Sequence, residues 1–393
     1  MSTIFVDAER ERASWLSDLH LMHHYSTSTC ASMVIKGELQ SIWKYDFPQI
    51  ALTSPFLMRG ILGIAAIDLA RLKPEMHDKL IAVATRHLNV ALKSFRETLP
   101  VPAADNCNAL LAFSMLVVIF AFALPPRVAP IDAIGEIFKL TRGTSFIMME
   151  TYRWVKDGPF KPMLQNGNEF DETPTFEPME YKHIQCAHER LMHYRIDCYE
   201  ATKKPTELVN CKEDCSTSMV NHAPESLRDA DASRVSLPEG IDFGLSYLDT
   251  MMECGDPTED ERILCTALVK ELQQLYARMF LQAGKFSMGS IAQWPNEDPT
   301  NFVKLLDKRS PHALVVLAHY CVLFYVLQGR WWVQGWATRL LTDIAQNLAP
   351  EWQHWISLPV LAVLGEQQAM EPRSGSNPAD PLDMLFRCSL GVF

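Results

Sequence analysis

The chain has 393 residues, of which 48% are hydrophobic and 21% charged, and its formal net charge is −11. This length and composition support a large buried core. The acidic balance argues against a surface that neutralises nucleic-acid phosphates, because such a surface needs clustered lysine and arginine.

The cysteines and the N-terminal residues indicate the cellular compartment in which the protein works. The ten cysteines are scattered along the chain, and most of them lie in apolar runs. The first residues, MSTIFVDAERERASW, carry charges where a signal peptide would need an apolar core. We therefore expect reduced thiols and a location in the nucleus or cytoplasm.

Apolar residues recur at helical spacing through the first half of the chain. The first stripe runs from Trp15 to His23, and a second from Leu57 to Leu69 is opened by Ser54 and Pro55, typical of a helix start. Further helices are predicted at 80–95, from 109 onward and at 133–151, the last one kinked or interrupted at Gly143.

The predicted helix that begins at Ala109 lies in a segment, residues 109–126, that carries no charge. A membrane-spanning helix needs about 20 apolar residues. This segment has 18 and ends in a Pro-Pro pair, so we interpret it as a buried central helix and expect no membrane attachment.

After residue 157 the regular spacing of apolar residues gives way to polar and loop-forming residues. Residues 158–175 are rich in Pro, Gly, Asn and acidic residues and predict a loop, 179–202 predict a helix, and 203–237 predict a long irregular segment. Later helices are expected at 241–253, 260–283, 312–328, 333–348 and 361–370.

These elements predict the fold class and the domain organisation. No stretch alternates with period two, and no repeat recurs at a fixed spacing. The sequence therefore predicts an all-α protein, with one helical domain over 1–370 that contains the irregular insert at 203–237. Residues 371–393 are expected to form a flexible linker and a short C-terminal segment.

Several blocks in this order carry a family resemblance: LSDLHLMHHYSTSTC (16–30), LQSIWKYDFPQIALTSPFLMRGILGIAAIDLA (39–70), RHLNVALKSFRETL (86–99), ALLAFSMLVVIFAFA (109–123) and PHALVVLAHYCVLFYVLQGRWWVQGWATRLLTDI (311–344). Together with LAPEWQHWISLP (348–359), they resemble the C-terminal regulatory domain of fungal zinc binuclear cluster regulators, in particular the sterol uptake control branch. The resemblance implies an all-helical, often dimeric domain and, in sterol-responsive members, a hydrophobic lipid-sensing pocket.

The family's DNA-binding head is a run of six cysteines among basic residues, placed N-terminal to this domain. Only Cys30 lies in the first hundred residues here, and no close pair of cysteines stands among Lys and Arg. Direct nucleic-acid binding is therefore not expected of this chain.

An early polar cluster contains Asp18, His20, His23, His24 and Tyr25. Asp18 could orient a histidine one turn later, as a base and its orienting carboxylate require. The preferred interpretation is a helix packed through partly buried, hydrogen-bonded histidines.

The middle of the chain contains cysteine and histidine pairs that could bind zinc. Cys211 and Cys215 form one pair at ligand spacing, and His183 with Cys186 form another. The spacing is loose against the zinc template, and His183 and Cys186 fall on a predicted amphipathic helix, so neither a metal nor another cofactor is expected.

Large aromatic residues cluster on two predicted helices. Such residues usually form core, but an apolar pocket is built from the same walls with one or two polar groups. His319 and Tyr320 could supply the polar end of such a pocket. The predicted ligand-binding residues are Phe120, Phe122, His319, Tyr320, Phe324, Tyr325, Trp331 and Trp332.

The preferred function, which rests on the resemblance, is a transcription regulator-like protein without its own DNA-binding head. It would regulate a fungal sterol or secondary-metabolite pathway through partner proteins, as a homo- or hetero-dimer with related regulators, with a sterol, terpenoid or polyketide as a possible ligand. A ligand would shift the population between two packings of the helical domain.

Two alternatives stay open. The pocket could have been recruited for catalysis, as a cyclase or isomerase acting on a polyketide or terpenoid, with His319, Tyr320, His23 and His24 as candidate catalytic residues. The chain could also be a scaffold without a ligand.

Overall fold

The computed structural model describes residues 15–33, 38–99, 101–125, 128–165, 245, 247–281, 291, 294–295, 298–327 and 329–364. Every regular element in these ranges is helical, and none of them contains a strand, so the all-α prediction is confirmed. None of the helices in these ranges is long and apolar enough to cross a membrane.

The contacts divide the chain into two compact units. Unit 1 takes its described residues from 1–127, 139–172 and 330–332. Unit 2 takes its described residues from 128–138, 173–329 and 333–393. The predicted boundaries of the single domain, 1–370, stay a prediction.

Unit 1 begins with helix α1 over residues 15–24, which continues into a π-helical turn at Tyr25–Thr29. A chain of short helical elements then leads to the long helices. The α-helices are α2 (Cys30–Met33), α3 (Glu38–Ser41), α4 (Phe47–Ala51), α5 (Pro55–Leu72), α6 (His77–Thr98) and α7 (Cys107–Ala123), and a second π-turn lies at Ile42–Asp46.

Helix α5 begins where the sequence predicted, with Ser54 at the N-cap position and Pro55 as its first residue. Its packing depends on glycine. A Cβ on Gly63 would lie 2.7 Å from the Phe120 ring of α7, so only a residue without a side chain lets the two helices approach so closely.

Helix α7 is the uncharged segment, and most of its residues are buried. This all-round burial explains why it carries no polar face, since a helix that is hydrophobic on every side lies inside the protein. The interpretation as a buried helix is consistent with this position.

Helix α8 runs over Pro130–Val155 and is longer than predicted. It continues through Gly143, so the predicted interruption there is wrong. Glycine disfavours a helix interior by about 1 kcal/mol, which the packed residues before and after it offset. Residues 130–138 of this helix belong to unit 2 and the remainder to unit 1.

The predicted loop at 158–175 contains a short helix, α9 (Lys161–Gln165). The rest of that loop lies outside the described residues, as do the predicted helix at 179–202, the insert at 203–237 and the linker and tail at 371–393.

Unit 2 contains the later helices. They are α10 (Tyr247–Met251), α11 (Glu259–Leu281), α12 (Pro299–Asp307), α13 (Pro311–Val326), α14 (Trp336–Asn347) and α15 (Ser357–Val363), with a 3-10 helix at Pro350–Ile356. Asp298 caps α12 by accepting a hydrogen bond from the Asn301 amide at 3.1 Å, which secures a helix that the sequence reading missed.

Several boundaries in unit 2 differ from the prediction. Helix α10 stops at Met251 because turns follow it and Gly255 has a positive φ of 72°. Helix α14 starts later than predicted because Gly335, with φ 76°, occupies its N-cap position. Of the last predicted helix, 361–370, the first residues belong to α15, which runs over Ser357–Val363, and residues 365–370 lie outside the described residues.

Candidate functional site

Unit 1 contains an apolar cleft of about 370 Å³, which we call the α6–α8 cleft. Three helices and the connection after α6 form its walls. From α6 and the connection come Leu92, Phe95, Arg96, Leu99 and Pro102; from α7 come Leu110, Ser114 and Val117; and from α8 come Lys139, Leu140, Gly143, Thr144, Phe146, Ile147, Glu150 and Thr151.

An aromatic cluster supports the inner wall. The Phe95 ring lies 4.9 Å from the Phe113 ring, and the Phe56 ring of α5 contacts both, at 5.8 and 5.5 Å. These three side chains are buried. Rings held by edge-to-face contacts have little freedom to move, so this wall is preformed.

The hydroxyl groups of the inner wall donate their protons to the backbone. Ser114 Oγ donates to the Leu111 carbonyl at 2.8 Å, and Thr151 Oγ1 donates to the Ile147 carbonyl at 2.7 Å. Thr144 Oγ1 lies 3.2 Å from the Ser114 carbonyl, which ties α8 to α7. The inner surface therefore behaves as an apolar surface toward a ligand.

Gly143 lines the cleft and is exposed. A Cβ placed on this residue would meet no atom within 4 Å. A larger side chain would therefore extend into free space along the wall. Phe146, one turn later, also lines the cleft while 62% of it is exposed, so the cleft opens to solvent at this point.

The predicted ligand-binding residues do not line this cleft, and they divide between the two units. In unit 1, the Phe122 ring lies 5.8 Å from the Trp332 ring, and the Trp331 Nε1–H donates to Ser32 Oγ at 3.1 Å. Phe120 is buried against Gly63. Their role toward a ligand stays a prediction.

The other four residues lie on α13 in unit 2 and are buried: His319, Tyr320, Phe324 and Tyr325. The His319 Nε2 atom lies 2.6 Å from the Tyr247 hydroxyl, and its Nδ1 atom lies 2.8 Å from the Val315 carbonyl. Tyr320 stacks on Trp294 at 4.3 Å. The predicted polar end is thus held in a network of protein groups.

The Tyr320 hydroxyl donates to the Ile291 carbonyl at 2.7 Å. Burial raises the pKa of Tyr320 well above its ordinary value, because the phenolate would lose its hydration. The hydroxyl therefore stays protonated and keeps donating this bond across the physiological pH range.

The early histidines take different roles in unit 1. His23 is exposed, while His24 Nε2 lies 3.0 Å from Asp68 Oδ2 on α5. Asp18 contacts a histidine of another helix: its Oδ1 atom lies 3.4 Å from Nε2 of the buried His87 on α6. No local spacing pairs these residues, so sequence reasoning missed both partners.

The described residues contain no group of three or more His, Cys, Asp or Glu side chains that could hold a metal ion. The candidate ligands His183, Cys186, Cys211 and Cys215 lie outside the described residues.

Sequence reasoning also missed the α6–α8 cleft. The sequence predicts a kink or an interruption at Gly143, whereas α8 continues through this residue and Gly143 lines the cleft. A glycine inside a strong helical pattern, flanked by Thr144 and Ser145, was the available signal, because such a glycine often has a packing or functional reason.

Comparisons with known proteins find a family model that is similar to part of this chain. Residues 20–124 match the fungal specific transcription factor domain, which confirms the resemblance for this segment. That segment includes α5 and two of the three helices that line the cleft, α6 and α7.

Two relatives are similar over short segments. Sterol uptake control protein 2 of Candida albicans is 34% identical over 108 residues, which are 27% of this chain and 14% of that protein. The Saccharomyces cerevisiae protein of the same name is 28% identical over 111 residues, which are 28% of this chain and 12% of that protein.

A Zn(2)-C6 fungal-type transcription factor of Gibberella zeae is similar over a longer span. It is 22% identical over 369 residues, covering 88% of this chain and 62% of that protein. In all three cases the chain spans less than two thirds of the relative's length. These matches support a role in transcription regulation.

Proposed function

We propose that this chain, whose residues 20–124 carry a fungal specific transcription factor domain, is a regulatory protein that binds an apolar small molecule in the α6–α8 cleft. The sterol uptake control relatives and the apolar walls favour a sterol, terpenoid or polyketide ligand. The pathway it regulates would be one that makes or takes up such compounds.

The cleft is the observation that carries this proposal. Its volume of about 370 Å³ falls within the range of small-molecule sites, which is about 300 to 1,000 Å³. Its inner hydroxyls are occupied by backbone carbonyls, so burying an apolar ligand there displaces water without leaving protein groups unpaired.

Binding of the ligand would change the relative populations of two packings of the helical domain. A ligand changes the balance between two packings of a domain only by the difference in its affinity for them. Helix α8 forms one wall of the cleft through residues 139–151, so filling the cleft would favour the packing in which α6, α7 and α8 hold their present spacing.

Partner proteins would carry the signal onward, in the nucleus, as a homodimer or as a heterodimer with a related regulator. Exposed apolar side chains on two helices support a partner surface. On α1 they are Trp15, Leu16 and Leu19, and on α8 they are Phe146, Met149 and Tyr152. Soluble proteins seldom expose such groups together unless something covers them.

The experiment joins the full chain to a heterologous DNA-binding domain in a yeast reporter strain and supplies candidate apolar compounds. Reporter output should change with the compound in the wild type and in Gly143→Ala, but not in Gly143→Trp, which adds a large side chain to a residue that lines the cleft. An equal response in all three proteins would remove the cleft from the proposal.

A direct measurement accompanies the reporter. Native mass spectrometry of the purified chain should detect a bound apolar compound whose amount falls in Gly143→Trp. Recovery of the compound unchanged after incubation is expected of a regulator. Its conversion into a cyclised or isomerised product would favour the enzyme alternative.

A further inference from the structure

Helix α1 lies against helix α6 in unit 1, because the Asp18 Oδ1 atom is 3.4 Å from Nε2 of the buried His87. On α1, Trp15 precedes Asp18 by one turn and Leu19 follows it directly, and their side chains are 61% and 48% exposed. On α6, Val90 follows His87 by one turn and is 45% exposed. The contact between the two helices is therefore flanked by exposed apolar side chains from both, which together we call the α1–α6 surface.

The α6 side of this surface is positively charged. Arg86 and Lys93 are seven residues apart, which places them on the same face of α6 and about 10.5 Å apart along its axis. Both are exposed, and neither makes a hydrogen bond or an ion pair with another described residue. Positions 82, 83, 89 and 90, one turn from Arg86, include no carboxylate, and Glu97, one turn beyond Lys93, does not pair with it. Both charges are thus open to a partner.

These features are complementary to an acidic amphipathic helix. Such a helix binds by placing apolar side chains three, four and seven residues apart against an apolar surface. Glutamates seven residues apart on it repeat every 10.5 Å or about that distance, which matches the separation of Arg86 and Lys93 along α6. Opposite charges at the edge of an interface select the partner and its register.

The same charges disfavour two other occupants of the surface. A second copy that paired through it about a two-fold axis would bring the positive α6 edges of both copies into one interface, where like charges repel. A nucleic-acid duplex would approach a chain with a formal net charge of −11, and it offers no apolar face to Trp15 and Leu19.

We propose that the α1–α6 surface binds a partner protein through an acidic amphipathic helix, whose apolar side chains contact Trp15, Leu19 and Val90 and whose carboxylates pair with Arg86 and Lys93. This inference rests on the part of the proposed function in which a partner protein carries the signal onward. It does not depend on the α6–α8 cleft. It names the chemistry of the partner and the residues that select it.

The test uses two fluorescein-labelled, eighteen-residue helical peptides with the same leucine face. The residues beside that face are glutamate in the acidic peptide and lysine in the basic peptide. Fluorescence anisotropy with the full chain at low salt measures both affinities. The acidic peptide should bind about tenfold more tightly, which corresponds to about 1.4 kcal/mol and is within reach of two exposed ion pairs. Raising the salt concentration should reduce this preference.

Exchanging the charges of α6 should exchange the preference between the peptides. The double variant Arg86→Glu/Lys93→Glu should bind the basic peptide more tightly than the acidic one, a gain that an unfolded chain would not show. Lys270→Glu is the matched control, because Lys270 is exposed on α11 in unit 2. It should keep the preference of the wild type.

Removing the apolar side chains of α1 should weaken both peptides by a similar factor. Trp15→Ser and Leu19→Ser each remove apolar area that the leucine face of either peptide would cover. Ile263→Ser is the matched control, since Ile263 is 60% exposed on α11. It should leave both affinities unchanged.

Equal binding of the two peptides, or binding of neither, would overturn the inference. Self-association of the chain that Trp15→Ser abolishes would overturn it in favour of a second copy. Binding of a DNA duplex that Arg86→Glu abolishes would overturn it in favour of nucleic acid. If the peptides bind equally while the reporter responds to a compound through the cleft, only this inference fails. If the peptides discriminate as expected while no compound changes the reporter, this inference stands and the ligand-binding part of the proposed function fails.

Discussion

The Nε2 atom of His24 lies 3.0 Å from the Oδ2 atom of Asp68, a carboxylate that is fully buried. The same oxygen accepts a hydrogen bond from Thr29 Oγ1 at 2.9 Å, and the other carboxylate oxygen accepts one from Arg71 at 3.0 Å. A buried charge persists only when it is paired and hydrogen-bonded, and Asp68 meets this requirement with partners from three parts of unit 1.

Replacing Asp68 should therefore destabilise the chain. We expect Asp68→Ala to lower the free energy of unfolding by about 2 to 3 kcal/mol, because His24 and Thr29 lose a charged partner inside the protein. Urea denaturation followed by circular dichroism measures the change. Asp78→Ala is the matched control, since that carboxylate is fully exposed and contacts only His77. An equal effect of the two substitutions would contradict the role given to Asp68.

His87 should make the stability depend on pH. Burial lowers the pKa of His87, and the nearby Arg59 and Arg86 lower it further, while Asp18 opposes the shift. The unfolded chain thus binds a proton more readily than the folded one. The contribution of neutral His87 to the free energy of unfolding is fully present above the pKa of about 6.5 in the unfolded chain. It is lost as the pH falls toward the lower pKa of His87 in the folded chain.

We expect His87→Leu to lose less stability than the wild type between pH 7 and pH 5. Leucine at this buried position cannot take up a proton. It also removes the 3.4 Å contact between His87 Nε2 and Asp18 Oδ1, two atoms that make no hydrogen bond among the described residues. Thermal unfolding across the pH range measures the slope. His20→Gln serves as the control because His20 is exposed, and it should retain the slope of the wild type.

Two glycines of unit 1 should respond to alanine in opposite directions. Gly143→Ala should stabilise the chain by about 0.5 to 1 kcal/mol, because alanine favours the helix and its Cβ meets no atom within 4 Å. Gly63→Ala should destabilise it by about 1 to 3 kcal/mol, because its Cβ would lie 2.7 Å from the Phe120 ring. Chemical denaturation of both variants tests the pair, and a stable Gly63→Ala variant would show that α5 and α7 can separate at little cost.

Tyr320→Phe should destabilise the chain by about 1 kcal/mol, because the Ile291 carbonyl loses the proton that the buried hydroxyl donates at 2.7 Å. Tyr45→Phe is the control, since 63% of Tyr45 is exposed. Denaturant midpoints measured side by side decide the outcome. Equal midpoints would mean that the Tyr320 hydroxyl is free to serve another partner, as its predicted role at a ligand requires.

Thiol labelling should distinguish the described cysteines. Cys254 is exposed, whereas Cys30, Cys107, Cys265 and Cys321 are buried. Burial raises the pKa of Cys265 to about 12, and the reactive thiolate is then scarce at neutral pH. Among these five cysteines, iodoacetamide should therefore modify Cys254 first in the native chain, and peptide mass spectrometry identifies the site. Early modification of Cys265 would indicate that unit 2 opens readily around α11.

The sequence by itself determined the local structure of most described residues. The helical spacing of apolar side chains located α5, α6, α7, α11 and α13, because this periodicity reflects which face of each helix is buried. The absence of charge over 109–126 predicted a helix buried on all sides. The ordered blocks along the chain also identified the family domain that matches residues 20–124.

Only the tertiary structure decided which of these helices meet and what lies between them. The carboxylate of Asp68 and the imidazole of His24 are far apart in the sequence, as are Asp18 and His87, and no spacing rule connects them. Gly143 shows the physical reason most clearly. Its local propensity disfavours a helix, so the sequence predicts a kink or an interruption. The contacts of the surrounding turns instead hold α8 continuous, and Gly143 becomes one of the residues that line a cleft.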